Sequence, residues 1–131
     1  MKILGTLVIS AVGLTTSLIN LLPTPATSSL HPTAEFGIAS IYSSEPTANG
    51  EYAYPSDFTA AHKTLPFGTL VKVINLANGR AVIVRINDRG PFIPGRIIDL
   101  TPAGAQAIGF TEHGAGLAPV AVTPFGVSEN S

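Results

Sequence analysis

Apolar residues in this chain fall into short runs, separated by clusters of glycine, proline, asparagine and serine. Runs of this length, rich in β-branched residues and bounded by turn formers, predict strands. They cover Phe36–Tyr42 (FGIASIY), Thr69–Leu76 (TLVKVINL), Arg80–Asp88 (RAVIVRIND), Gly95–Leu100 (GRIIDL) and Leu117–Phe125 (LAPVAVTPF). Prolines interrupt the last of these, which marks it as an edge or closing strand. Asn78-Gly79 sits between the second and third runs, where both residues tolerate the positive φ of a tight hairpin turn. After Leu100, Thr101 is a helix cap, Pro102 suits the first helical position and Gly109 can end the helix. About six short strands and one or two short helices give a mainly β fold. Strands so short and apolar call for a small closed barrel, which leaves no edge bare.

Composition agrees with that picture and removes several functions. The chain has 131 residues, 13 glycines and 11 prolines, enough for one domain with many turns. A formal net charge of −1, with scattered basic residues, leaves no footprint for nucleic acid. Cysteine is absent, which excludes a disulfide scaffold, a thiolate metal site and attachment through a lipid-modified cysteine. His31, His62 and His113 lie far apart, so no metal and no cofactor is expected. Residues 1–26 read as an export signal: Lys2, the apolar stretch ILGTLVISAVGL, then LINLLPTPA with a small residue at Ala26. Apolar character resumes through Leu22, so an uncleaved anchor is the other reading of the same stretch. Both readings put the working domain outside the cytoplasm, in a periplasm or beyond the cell. Residues 27–35 read as a linker, 36–125 as the barrel domain and 126–131 as a fraying, disordered tail.

Candidate chemistry begins at RINDRGPF, Arg85–Phe92. Alternation puts Val82, Val84 and Ile86 on one face, and Asp88 continues it, opposite Arg85 and Asn87. An acid at the rim of a barrel interior keeps its proton longer, whereas Arg85 and Arg89 favour its charged form. A bulge at Asn87 would cancel this parity. Asp before Arg-Gly-Pro is also ordinary turn chemistry. Glu51, after an Asn-Gly turn, and His62, in a stretch of small residues, are weak candidates singly. Three titratable groups on loops around one barrel make a stronger set for proton transfer.

The segments ASIY, TANGE, TAAHKTLPFGTLVKVINLANGR, VRINDRGPF, GRIIDLT and GLAPVAV occur here in the order found in the rare lipoprotein A (RlpA) family. The resemblance runs from about Gly37 to Val122. It implies a six-stranded double-psi β-barrel and a lytic transglycosylase acting on peptidoglycan glycan strands stripped of their stem peptides. The catalytic aspartate falls on Asp88, with Glu51 and His62 in support. Asp99 matches an aspartate important in the distantly related expansins. Tyr42, Arg85, Arg89 and Arg96 are further candidates for binding substrate: the tyrosine for a sugar face, the arginines for lactyl carboxylates. Family members commonly carry a longer loop where Tyr42 is here followed by SSEP, so part of the substrate cleft is expected to be missing. Without a lipid-bearing cysteine or a glycan-binding repeat after the barrel, the expectation is a free monomer with no stable membrane anchor after cleavage. A non-catalytic, expansin-like wall-binding module is the alternative.

Overall fold

The computed structural model describes residues 33–127; the proposed export signal, most of the linker and the last four residues lie outside it. Six strands form a closed barrel: β1 (Glu35–Ile41), β2 (Thr59–Ala61), β3 (Thr69–Asn75), β4 (Ala81–Asp88), β5 (Arg96–Leu100) and β6 (Ala118–Val127). A single short helix, α1 (Pro102–Ala107), stands between β5 and β6. Around the barrel the order is β1-β5-β2-β4-β3-β6. The pairs β1/β5 and β2/β4 are parallel, and the other four are antiparallel.

Alternation along the strands fills the interior. Val71 and Val73 on β3 pair with Val84 and Val82 on β4, while Val120 and Val122 on β6 turn the same way. Ala39, Ala60, Ile86, Ile98 and Leu100 complete a core whose side chains leave no lumen. Ala105, Ile108 and Phe110 cover it from the helix side.

Strand β2 is the element that alternation does not reveal. Thr59, Ala60 and Ala61 are all buried, so the segment carries no polar face. The last strand is longer than its prolines imply. It runs to Val127, so Gly126 and Val127 belong to the barrel and not to a fraying tail. Pro119 and Pro124 are accommodated within it, and β6 joins β1 to β3 as the closing strand. Likewise Glu35, read as linker, opens β1.

The β3–β4 hairpin forms where Asn78-Gly79 predicts it, with a correction to the turn. Only Gly79 has positive φ, at 78°. Its N–H donates to the Asn75 carbonyl at 2.7 Å, and Asn75 N–H donates to the Arg80 carbonyl at 2.8 Å. Four residues, Leu76–Gly79, therefore form the loop, and Asn78 serves through its side chain. Its Oδ1 accepts from Arg80 N–H and its Nδ2 donates to the Ile108 carbonyl. In α1, Thr101 caps the first turn by accepting from Gly104 N–H, with Pro102 behind it.

Candidate active site

The outer face of the barrel carries a polar row. Ser40 on β1 is in register with Asp99 on β5, Asp99 with Ala61 on β2, and Ala61 with Asp88 on β4. Register partners share a face. Two carboxyl groups therefore stand on neighbouring sites with only the Ala61 methyl between them. Tyr42, two residues beyond Ser40, projects to the same side.

Asp88 reaches this face through a bulge. Ala60 pairs with Ile86 and Ala61 with Asp88, which leaves Asn87 as an extra residue on β4. An extra residue resets the alternation. The parity reading that turned Asp88 inward, away from Arg85 and Asn87, is corrected accordingly. Val84 and Ile86 face the core, and Arg85 and Asp88 both face outward.

A small hairpin between β1 and β2 lies against the bulge. Its stem is tied by Ser44 N–H to Ala53 O and Ala53 N–H to Glu45 O. Its tip is the TANGE segment, Thr47–Glu51. Ala48 N–H donates to Asp88 Oδ1 at 2.8 Å, and Arg89 N–H donates to the same oxygen at 2.8 Å. Asp88 is 9% exposed. Oδ1 is thus fixed by two backbone amides. The Tyr42 hydroxyl also approaches the Asp88 carboxyl.

Glu51 closes the side of the tip. Its carboxylate accepts both guanidinium nitrogens of Arg85, at 3.0 and 3.2 Å, and Asn87 Nδ2 at 2.9 Å. The Arg85 and Asn87 hydrogen bonds hold its pKa below the usual carboxylate range. Asp99 goes the other way. Burial raises its pKa, and the Asp88 charge adds to the rise; the Ser40 hydroxyl bond and the charges of Arg96 and Lys63 oppose it without cancelling it. Tyr42 is pushed up as well, first by burial and then by the charges of Asp88 and Asp99. Its hydroxyl lies 3.4 Å from Asn87 Oδ1.

His62 is attached to this site through its backbone. Its N–H donates to the Asp88 carbonyl at 3.1 Å, and its own carbonyl accepts Arg89 Nη1 at 3.1 Å. The imidazole turns to Glu35, with Nε2 2.8 Å from Oε1. Nδ1 accepts from Thr64 and Leu65 N–H, which places the ring proton on Nε2. Glu35 has the parity of inward-facing Ala39, so this pair sits at an end of the barrel and not in the outer row. None of the imidazole's hydrogen bonds reaches Asp88 or Glu51.

The arginines divide similarly. Arg85 is occupied by Glu51, and Arg89 lies 4.0 Å above the Phe67 ring. Arg96 acts on Asp99 by charge, and its side chain makes no hydrogen bond among the described residues. Ser40, Ala48 and Asn87 are site residues that reading the sequence missed. Ala48 acts through its amide, which no side-chain pattern announces. Asn87 acts as the bulge, for which its own segment gives only a possibility.

A family profile described as lytic transglycolase matches residues 34–122. The chain is 51% identical over 96 residues to a probable endolytic peptidoglycan transglycosylase RlpA of Nostoc sp., covering 69% of this chain and 25% of that protein. It is 57% identical over 84 residues to the corresponding protein of Synechocystis sp., covering 61% and 26% respectively. The Pasteurella multocida endolytic peptidoglycan transglycosylase RlpA is 53% identical over 87 residues, covering 63% and 30%. The chain thus spans roughly a quarter of the length of the curated relatives it matches. Among solved structures, the expansin of Clavibacter michiganensis superposes with a TM-score of 0.56 at 21% identity, over 71% of this chain and 50% of that one. That likeness concerns the fold. With the barrel, the parallel pairs and the matched segment in agreement, the chain belongs to the lytic transglycolase family of double-psi β-barrels.

Proposed function

We propose that this protein is an exported endolytic transglycosylase. It cleaves the β-1,4 bond between N-acetylmuramic acid and N-acetylglucosamine in glycan strands stripped of stem peptides. The observation that carries the reading is the Asp88 carboxyl, held by two backbone amides at Oδ1 on the outer face of the barrel, beside Tyr42 and one strand over from the Ala61–Asp99 pair. A carboxyl so placed supports proton transfer to and from a bound sugar chain.

One carboxyl group serves twice. Asp88 protonates the bridging oxygen as the bond to the muramyl anomeric carbon breaks. The muramyl C6 hydroxyl attacks that same carbon, and the Asp88 carboxylate accepts its proton. Asp88 ends as it began, no water is consumed, and a 1,6-anhydro end is left. No second carboxylate at a fixed spacing is needed, unlike in hydrolytic glycosidases. Asp99, in register with Ala61 beside Asp88, hydrogen-bonds the sugar beside the scissile bond. Tyr42 packs on the neighbouring ring. Arg96 faces the lactyl carboxylate, while Arg85, Glu51 and Arg89 hold the walls. His62 acts as a positioning residue, through its backbone bond to the Asp88 carbonyl.

The test is direct. The purified protein is incubated with peptide-stripped glycan, and products are read by mass spectrometry against an active control enzyme. Anhydro-muramyl ends from the native protein, lost by at least about a hundredfold in Asp88→Asn, are expected. Asparagine keeps the Oδ1 that Ala48 and Arg89 hold, so the fold survives the change. Products that persist in Asp88→Asn remove Asp88 from the chemistry. Binding to insoluble peptidoglycan with no products from the native protein makes the domain a wall-binding module.

A further inference from the structure

The outer face holds a concavity beside the Glu51–Arg85 pair, most of whose lining the mechanism above does not use. It is a cleft of about 670 Å³, lined by Gly50, Glu51, Tyr52, Tyr54, Asp57 and Arg85. This is within the range of small-ligand sites, about 300–1,000 Å³. We propose that it is a subsite for an uncharged pyranose ring, an N-acetylglucosamine unit of the same glycan chain. The proposal rests on the reading of the outer face around Asp88 as a glycan site, and it adds a place and a preference to it.

Three observations point to a sugar. First, Tyr52 and Tyr54 meet with ring centroids 4.8 Å apart and planes inclined by 50°. They form a corner, not a stack, and Tyr54 remains 56% exposed. A pyranose has a C–H face that packs on an aromatic ring and a rim of hydroxyls that seek acceptors. Second, the acceptors are present. The exposed Asp57 side chain accepts no hydrogen bond among the described residues; only its backbone is engaged, its N–H by the Tyr54 carbonyl and its carbonyl by the Thr101 hydroxyl. Third, the cleft is near Asp88. Arg85 and Asp88 share the outer face of β4, at most about 10 Å apart along the strand at 3.3 Å per residue. A glycan lying across Asp88 continues into the cleft.

Charge sets the preference. Glu51 and Asp57 are two carboxylates against one guanidinium, and Glu51 already occupies that guanidinium with two hydrogen bonds. A lactyl carboxylate entering here would meet net negative charge and no available donor of that kind. The neutral ring of the repeat is admitted and the muramyl ring is not.

The experiment uses the uncharged hexamer of N-acetylglucosamine as probe and isothermal titration calorimetry on the purified native protein. Tyr54→Ala and Asp57→Asn are each expected to weaken binding about five- to tenfold. Both side chains are exposed, so circular dichroism and the melting temperature serve as controls for the fold. Affinity unchanged in both variants, or no binding by the native protein, overturns the subsite. Anhydro-muramyl formation on the same preparations separates the two readings. Loss of affinity in the variants supports the subsite even where the native protein forms no product. Product formation with unaltered affinity removes the subsite and leaves the activity standing.

Discussion

Asp99 and Glu51 are both carboxylates of the candidate site, and the fold pulls them in opposite directions. Asp99 has a raised pKa because burial and Asp88 penalise its charge more than Ser40, Arg96 and Lys63 favour it. A carboxyl whose folded pKa lies above its unfolded value binds its proton more tightly when folded. Its contribution is complete below the unfolded pKa and is lost as pH rises through the folded one. Asp99→Asn removes this loss. The variant is expected to melt higher than the native protein at neutral pH, with the gap closing toward pH 4. A gap independent of pH would show that Asp99 does not titrate with folding. Glu51 has the lowered pKa, so its stabilisation is present above the unfolded value and fades as pH falls through the folded one. Its ion pair with Arg85 is partly exposed, and such pairs contribute less than about 1 kcal/mol. Asn87 is fully buried, however, and donates to the same carboxylate. Glu51→Gln retains an acceptor for that amide and is expected to cost less than about 1 kcal/mol. Glu51→Ala leaves the amide without this partner and is expected to cost about 1–3 kcal/mol. Urea titrations of the two variants distinguish pairing of charge from satisfaction of a buried amide.

At the scale of elements, what could be read in advance follows the strength of the periodic signal. Strand β3, and β4 as far as Ile86, alternate, and their bounds fall within a residue of expectation. Strand β2 has no alternation to read, because all three of its residues are buried between β4 and β5. The site suffered most where one residue breaks a period. The Asn87 bulge carries Asp88 from the inner to the outer face, and a single-strand pattern cannot decide whether a partner strand opposes one residue or two. Residue types at the site were legible because carboxylates, arginines and a tyrosine announce their chemistry. Their grouping was not: His62 lies near Asp88 through its backbone and points its ring to Glu35. A second bulge, on β5 at Ile97, has a consequence that can be measured. Ile38 pairs with Arg96 and Ala39 with Ile98, so Ile97 is the extra residue. Its side chain fills the space over Gly37, where a Cβ would stand 2.5 Å from Ile97 Cγ2. Gly37→Ala is expected to destabilise the barrel by roughly 1–3 kcal/mol through overpacking. Replacing Ile97 by alanine, which removes both γ-carbons, should make the cost of Gly37→Ala smaller than it is in the native chain. An unchanged cost would place the strain in the backbone instead.

The whole molecule depends on closure. Strand β1 is the first element of the domain, and it hydrogen-bonds to β5 on one side and β6 on the other. Its loss would leave two bare edges and uncover the inward side chains of Val120, Val122 and Ile98. Residues Glu35–Ala39 carry every register pair with β6, and Glu35 also holds the His62 imidazole. Each net backbone hydrogen bond contributes about 1 kcal/mol, and a domain of this size is stable by only about 5–15 kcal/mol. A chain beginning at Thr33 is therefore expected to unfold in one cooperative transition. A chain beginning at Ser40 retains Ser40, Tyr42, Asp88 and Asp99, and it is still expected not to fold. Thermal melts followed by circular dichroism test both. If the chain beginning at Ser40 melts cooperatively near the temperature of the longer one, the barrel does not need β1. The polar row would then rest on β5, β2 and β4 alone. If it does not fold, the placement of the Asp88 carboxyl is inseparable from a strand on the other side of the row, because the candidate site is a surface of the closed sheet and not a property of one loop.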